Sequence, residues 1–301
     1  MTTLRKLTLG RILRAITTAA RAALEGYRLI RREPRAALAW MLLWLAVVVA
    51  TALAVATGPP VGLTHGRAHS SPDDIVRKFG PAAPFLILLF LVVWASTTVA
   101  AYRSVLRPQD RRYFFLRLGL DELRLAIMTV ASAILILLFG GAPAYLLLVL
   151  ADPLMRAVPT LARDIARVGA LLTVCVDVWL GVRLSLIAVE TVAERRFHLS
   201  AYWPVTRGRF WYLLLCYAIC FLLVFGLTTL LFVAGGVLVS FANLDLAAGN
   251  VWRRTGVLGI AALLAVLTAG FLMLSLTIFC ACQAYAFRFI AADGKAGVVI
   301  S

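Results

Sequence analysis

Acidic residues are scarce in this chain: 14 Asp and Glu stand against 30 Lys and Arg. Together these four residue types make up only 15% of the 301 residues, and 62% are hydrophobic. A water-soluble domain of this length needs more polar surface than that composition supplies. Histidine occurs three times, which leaves little material for metal sites. The five cysteines (Cys175, Cys216, Cys220, Cys280 and Cys282) all fall inside apolar runs, so they imply no disulfide framework. A helical zinc-protease signature, a phosphate-cradling glycine loop and a nucleophile elbow are also missing. No catalytic residue is therefore assigned, and no cofactor or metal is expected.

What the chain has is long apolar stretches. A helix needs about 20 residues to cross roughly 30 Å of hydrocarbon. Six runs meet that length: Leu38–Thr57, Pro84–Leu106, Leu123–Leu150, Ile165–Val192, Phe210–Ser240 and Gly256–Ile290. The mean hydropathy of +0.94 agrees. The expected fold is all-α: six transmembrane helices arranged as three hairpins, with amphipathic elbows on the cytoplasmic side. The longest connection, about 26 residues rich in Gly, Pro and Ser, is too short for a separate domain. In the third run, "GGAP" (Gly140 to Pro143) predicts a kink, because proline removes an amide donor.

The basic residues are distributed unevenly. The segments 1–37, 103–124, 195–209 and the tail after 287 hold 21 of them, and the alternate connections 58–83, 151–167 and 242–255 hold eight. This asymmetry follows the positive-inside rule and predicts cytoplasmic termini. It also turns the net charge of +16 away from nucleic acid and toward anionic lipid headgroups. Arginine outnumbers lysine 27 to 3, which suggests GC-rich coding and a bacterial inner membrane. Nine bases precede the first run with no short apolar segment before them, so no cleaved signal peptide is expected.

Residues 1–37 read as a basic interfacial helix, 38–290 as the transmembrane domain and 291–301 as a short cytoplasmic tail. Leu9, Leu13, Ile16, Ala20, Ala23, Leu24, Tyr27 and Ile30 recur at helical spacing, while Arg14, Arg21, Arg28 and Arg35 recur every seven residues on another face. Such a helix either lies in the membrane interface or docks on the protein itself. Glu25 is placed to pair with Arg21 or Arg28. Related stretches recur: "YRLIRREPRAALAWMLL", "LRLGLDELRLAIMTV" and "YWPVTRGRFWYLLLCY" each set an arginine (Arg35, Arg124, Arg209) just before an apolar run, 89 and 85 residues apart. Three repeats of elbow plus hairpin are expected. In the third elbow, Arg207 and Arg209 can hold headgroups while Trp203 and Trp211 sit at the acyl boundary.

The run "VRLSLIAVETVAERRFHLSAYWPVTRGRFWYLL" resembles the membrane domain of bacterial glycerophosphoryl diester phosphodiesterases and related stand-alone six-span proteins. The matching residues are Arg183, Leu184, Leu186, Glu190, Arg207, Gly208, Phe210 and Trp211; the family's proline is replaced by Ile187-Ala188-Val189. In fused relatives a separate soluble barrel carries the chemistry. No such domain fits in this chain, so the resemblance implies a membrane module and no hydrolase activity.

Intramembrane ionisable residues are costly and mark function or interhelical locks. Asp177 falls near the middle of the fourth run, with Arg183 about 9 Å along at helical rise and Glu190 two turns beyond. They line a polar pathway for a proton, ion or headgroup, or Asp177 is held by Ser96, Thr97, Thr98, Thr129 or Ser132. His65 and His69 with Asp73 and Asp74 read as a hydrated loop rather than a metal site. The cysteines read as small packing residues ahead of a soft-metal site. The expectation is a non-enzymatic inner-membrane module binding lipid headgroups or a membrane-protein partner. A small transporter or channel using Asp177 and Arg183 is the alternative.

Overall fold

The computed structural model describes residues 2–57, 82–109, 112–117, 119–143, 158–194, 209–247 and 252–298, together with 80, 145, 146 and 149. Among these residues there are seven α-helices and no strand. They are α1 (Thr2–Arg32), α2 (Pro34–Thr57), α3 (Ala83–Leu106), α4 (Leu120–Ile136), α5 (Pro159–Glu194), α6 (Phe210–Ala247) and α7 (Trp252–Val298). A 3-10 turn, Arg112–Phe115, precedes α4, and a π-helical turn, Leu137–Gly141, follows it.

Six segments are long and apolar enough to cross a membrane: Pro34–Ala54, Ala83–Leu106, Leu120–Gly141, Arg163–Glu194, Phe210–Val237 and Gly259–Ala292. Their outward side chains are large and apolar, as at Leu138, Phe139, Phe221, Phe225 and Phe232. An exposed apolar surface of this extent suits lipid rather than water. The chain is an integral membrane protein with the six-helix fold its composition predicts.

Helix neighbours follow a cyclic rule. Each outgoing helix (α2, α4, α6) packs on its own return helix (α3, α5, α7) and on the return helix of the hairpin before it: α2 on α7, α4 on α3, α6 on α5. The three return helices touch one another in the centre. Val99 and Ala100 of α3, Leu186 and Val189 of α5, and Ala281 and Ala284 of α7 are buried there. Small residues at such a centre let backbones approach, which is what attracts helices in an apolar solvent. The first two elbows obey the same rotation. α1 lies on α6 and α7, and the 3-10 turn lies on α2 and α3. This is the arrangement that three sequential repeats would build.

Arginines tie the return helices together at the elbow end. Arg288 of α7 donates to the Val105 carbonyl at the end of α3 (3.2 Å), and Arg107, just past α3, donates to the Val192 and Ala193 carbonyls of α5 (3.2 and 2.7 Å). These carbonyls lie in the last described turns of their helices, where the guanidinium groups bond to them.

Two prolines shape the helices. Pro34 opens α2, where its missing N–H costs nothing, and Glu33 bridges the bend by bonding Leu29 and Ala37 on either side. The predicted disturbance around Pro143 takes the form of a widened turn: the Ala142 amide reaches back five residues to the Leu137 carbonyl. A π turn of this kind makes room where a proline ring would meet the carbonyl four residues earlier.

Candidate functional site

The first elbow helix is held by its smallest residues. Ala19, Ala22, Ala23, Gly26 and Leu29 face the bundle, and a Cβ on Gly26 would stand 2.6 Å from the Ile278 Cα. Such closeness explains why this seam is Ala and Gly rather than Leu. The apolar face expected from periodicity therefore divides in two. Ala23 and Ile30 turn toward the protein, while Ile16, Leu24 and Tyr27 are exposed. Arg21 and Arg28 are exposed on a third side. At about 100° per residue these sides are roughly 120° apart. Glu25 is buried and pairs with Arg28 at 3.4 Å and Arg32 at 3.2 Å. Arg35, at the start of α2, is also exposed; the side chain of Arg14 lies outside the described residues.

The second elbow is a clasp. Arg103 of α3 is almost fully buried, 3.0 Å from Asp121 Oδ2 and 2.8 Å from Glu122 Oε1, and it donates to the Phe115 carbonyl at 3.3 Å. Glu122 Oε2 in turn accepts from the Gly119 amide at 2.9 Å, closing the first turn of α4. The intervening backbone is bent through left-handed conformations at Phe114 (φ 57) and Phe115 (φ 64), unusual for bulky residues. Trp40 of α2 donates to the Phe114 carbonyl at 3.1 Å and holds that bend from the other side. Arg124, read from sequence as a headgroup anchor, is partly enclosed and sits 3.4 Å from Asp121 Oδ1. Its charge serves the clasp. The sequence reading missed Arg103, Asp121 and Glu122; the signal was an adjacent acidic pair in a chain where acids are rare.

In the third elbow, Arg209 is half-buried and its carbonyl accepts the Leu213 amide at the head of α6. Trp211 is 79% exposed, edge-on to Phe210 at 5.5 Å. Arg207 and Trp203 lie outside the described residues, as do His65, His69, Asp73 and Asp74.

Asp177, Arg183 and Glu190, the three residues of α5 singled out from the sequence, do not converge. Asp177 packs against Gly140 of the π turn so closely that a Cβ there would overlap its carboxylate. Asp177 Oδ1 is buried and accepts no hydrogen bond among the described residues. Thr97 and Thr129, two of its expected hydroxyl partners, bond instead to the Val93 and Leu125 carbonyls of their own helices. Arg183 is buried on another side of α5, its guanidinium 5.3 Å from the centre of the Trp179 ring. Glu190 is buried two turns on, and its Oε2 likewise accepts no hydrogen bond among the described residues.

A cavity of about 540 Å³ opens between α2, α3, α4, α5 and α7. Thr98, Thr129 and Ser132 line it, as do Gly181, Leu184 and Ser185 of α5. Asp177, one turn from Gly181, is outside the lining, and so are Arg183 and Glu190. Cys280 lines the same space, whereas Cys216, Cys220 and Cys282 pack beneath the alanines of α1 as free thiols. Among the described residues no group of three or more His, Cys, Asp or Glu side chains is arranged to hold a metal ion. No family model matches the chain, and comparison with curated proteins and with solved structures finds no similar protein.

Proposed function

We propose that this protein is a non-enzymatic module of a bacterial inner membrane that engages anionic lipid headgroups through its elbows, with both termini in the cytoplasm. The observation that carries the reading is the three-sided character of α1. Its small residues are used up in docking, yet Ile16, Leu24 and Tyr27 remain exposed beside Arg21 and Arg28. A helix docked in water would leave no such stripe uncovered; one lying at a membrane surface sets it among acyl chains and its bases among phosphates. Exposed Trp211 at the head of α6 suits the same boundary. Kinship to the membrane domain of glycerophosphoryl diester phosphodiesterases is kept within this proposal, carried by the Arg183–Trp211 motif. The transporter reading ranks lower because the cavity lining leaves out Asp177 and Arg183.

The test is lipid retention in nanodiscs of phosphatidylcholine with phosphatidylglycerol. Replacing Arg21 and Arg28 by Gln is expected to lower phosphatidylglycerol retention about 30-fold, at ~1 kcal/mol per charge. Raising salt should weaken retention in the parent protein. Unchanged retention in a folded double variant, at both salt concentrations, rejects the reading.

A further inference from the structure

We propose that the cavity between the hairpins is a second binding site, which takes an uncharged amphiphile: one apolar chain ending in an oxygen-bearing head. It goes beyond the elbow reading, since it uses different residues and selects against charge.

The volume of about 540 Å³ lies within the range of pockets that hold small ligands, roughly 300–1,000 Å³. Its walls are mainly apolar and aromatic: Trp44, Phe90, Trp94, Met128 and Phe279. Its polar groups come from α3, α4, α5 and α7: Thr98, Tyr102, Thr129, Ser132, Ser185 and Gln283. Tyr102 donates to Gln283 Oε1 at 2.5 Å, which leaves the Gln283 amide protons available to a ligand. Ser185 shares a hydrogen with Tyr217 at 2.5 Å.

Two further groups give the site its direction. Trp44 is 2% exposed, and its indole nitrogen has no hydrogen-bond partner among the described residues; nor does the buried Ser275 hydroxyl. An indole N–H can only donate. The group that would complete it is therefore an acceptor: a carbonyl, ether or hydroxyl oxygen. Among the described residues no Asp, Glu, Lys or Arg lines the cavity, so a charged head would be desolvated without a compensating charge from them. The ligand that satisfies both facts is neutral.

The route in is lateral. Phe90 lines the cavity and is also 43% exposed on the outer surface of α3, its ring edge-on to Trp44 at 5.5 Å. A molecule dissolved in the bilayer would enter beside that ring, next to Trp44.

The probe is a monoacylglycerol with a diazirine in its chain, added to the protein in phosphatidylcholine nanodiscs and irradiated, with adducts mapped by peptide mass spectrometry. Adducts are expected on α2, α3 and α7 residues of the cavity. Unlabelled monoacylglycerol should compete for them, and its phosphorylated counterpart with the same chain should not. Ala188→Phe fills the space and should cut the adducts at least tenfold without lowering the thermal midpoint. Trp44→Phe keeps an aromatic ring, removes the donor and should weaken labelling several-fold. Labelling spread evenly over the outer surface overturns the proposal, as does equal competition by the anionic analogue or full labelling in folded Trp44→Phe. A cavity holding water alone would give the first of these. Replacing Arg21 and Arg28 by Gln should leave the adducts unchanged, so this site and the elbow reading fail separately.

Discussion

Gly26 of α1 crosses α7 with its Cα–H against the backbone of Ile278, leaving 2.6 Å between an added Cβ and the Ile278 Cα. Main chain cannot swing aside as a flexible side chain does, so any substitution must lift the helix.

Gly26→Ala is therefore expected to destabilise the protein by about 1–3 kcal/mol, the usual cost of overpacking. It should also expose α1 to limited proteolysis. Tyr27→Ala, one residue along on the exposed side, should leave the thermal midpoint unchanged. Equal midpoints for Gly26→Ala and the parent would mean that α1 does not dock through this seam.

The Arg103 clasp should behave as a buried charge cluster. Arg103→Met leaves Asp121 and Glu122 buried without their main cation, and is expected to cost about 3–5 kcal/mol. Adding Asp121→Asn and Glu122→Gln should recover most of that loss, because the uncompensated charges go with it. Arg124→Ala should cost less than ~1 kcal/mol, since Arg124 is partly exposed and joins the cluster from its rim. Denaturation midpoints of the single and combined variants measure all three.

A methyl group on Gly140 would occupy the space of the Asp177 carboxylate. Gly140→Ala should cost about 1–3 kcal/mol of stability and lower the thermal midpoint, and adding Asp177→Ala should restore it. Rescue is the informative outcome. If both variants fall equally, the contact between the π turn and α5 is not what Gly140 preserves.

Much of the architecture was legible in residue order. Five of the six spans start and end within four residues of the apolar runs, while the third closes at Gly141, nine residues before Leu150; the recurrence of Arg35, Arg124 and Arg209 before spans accords with the cyclic packing of three hairpins. The site was less legible. Glu25 pairs with Arg28 as helical spacing predicts, because both lie on one helix and local geometry fixes their distance. Arg124 has the sequence setting of a headgroup anchor, and its contact with Asp121 at 3.4 Å could be read only from the structure. Thr98, Thr129 and Ser132 read as fasteners for Asp177 and instead line a cavity.

Composition and spacing alone determined the solvent, the number of crossings and the end of the bundle at which the arginines gather. These follow from how many apolar residues stand in a row and what a charge costs in hydrocarbon. Tertiary structure alone decided that Ala19, Ala22 and Gly26 form a seam while Leu24 faces outward, and that Tyr102 meets Gln283, 181 residues away. The reason is that acyl chains are as apolar as leucine. Inside a membrane, hydrophobicity does not distinguish a side chain that meets lipid from one that meets protein, so neighbours are chosen by close packing and a few polar contacts, which no periodicity records.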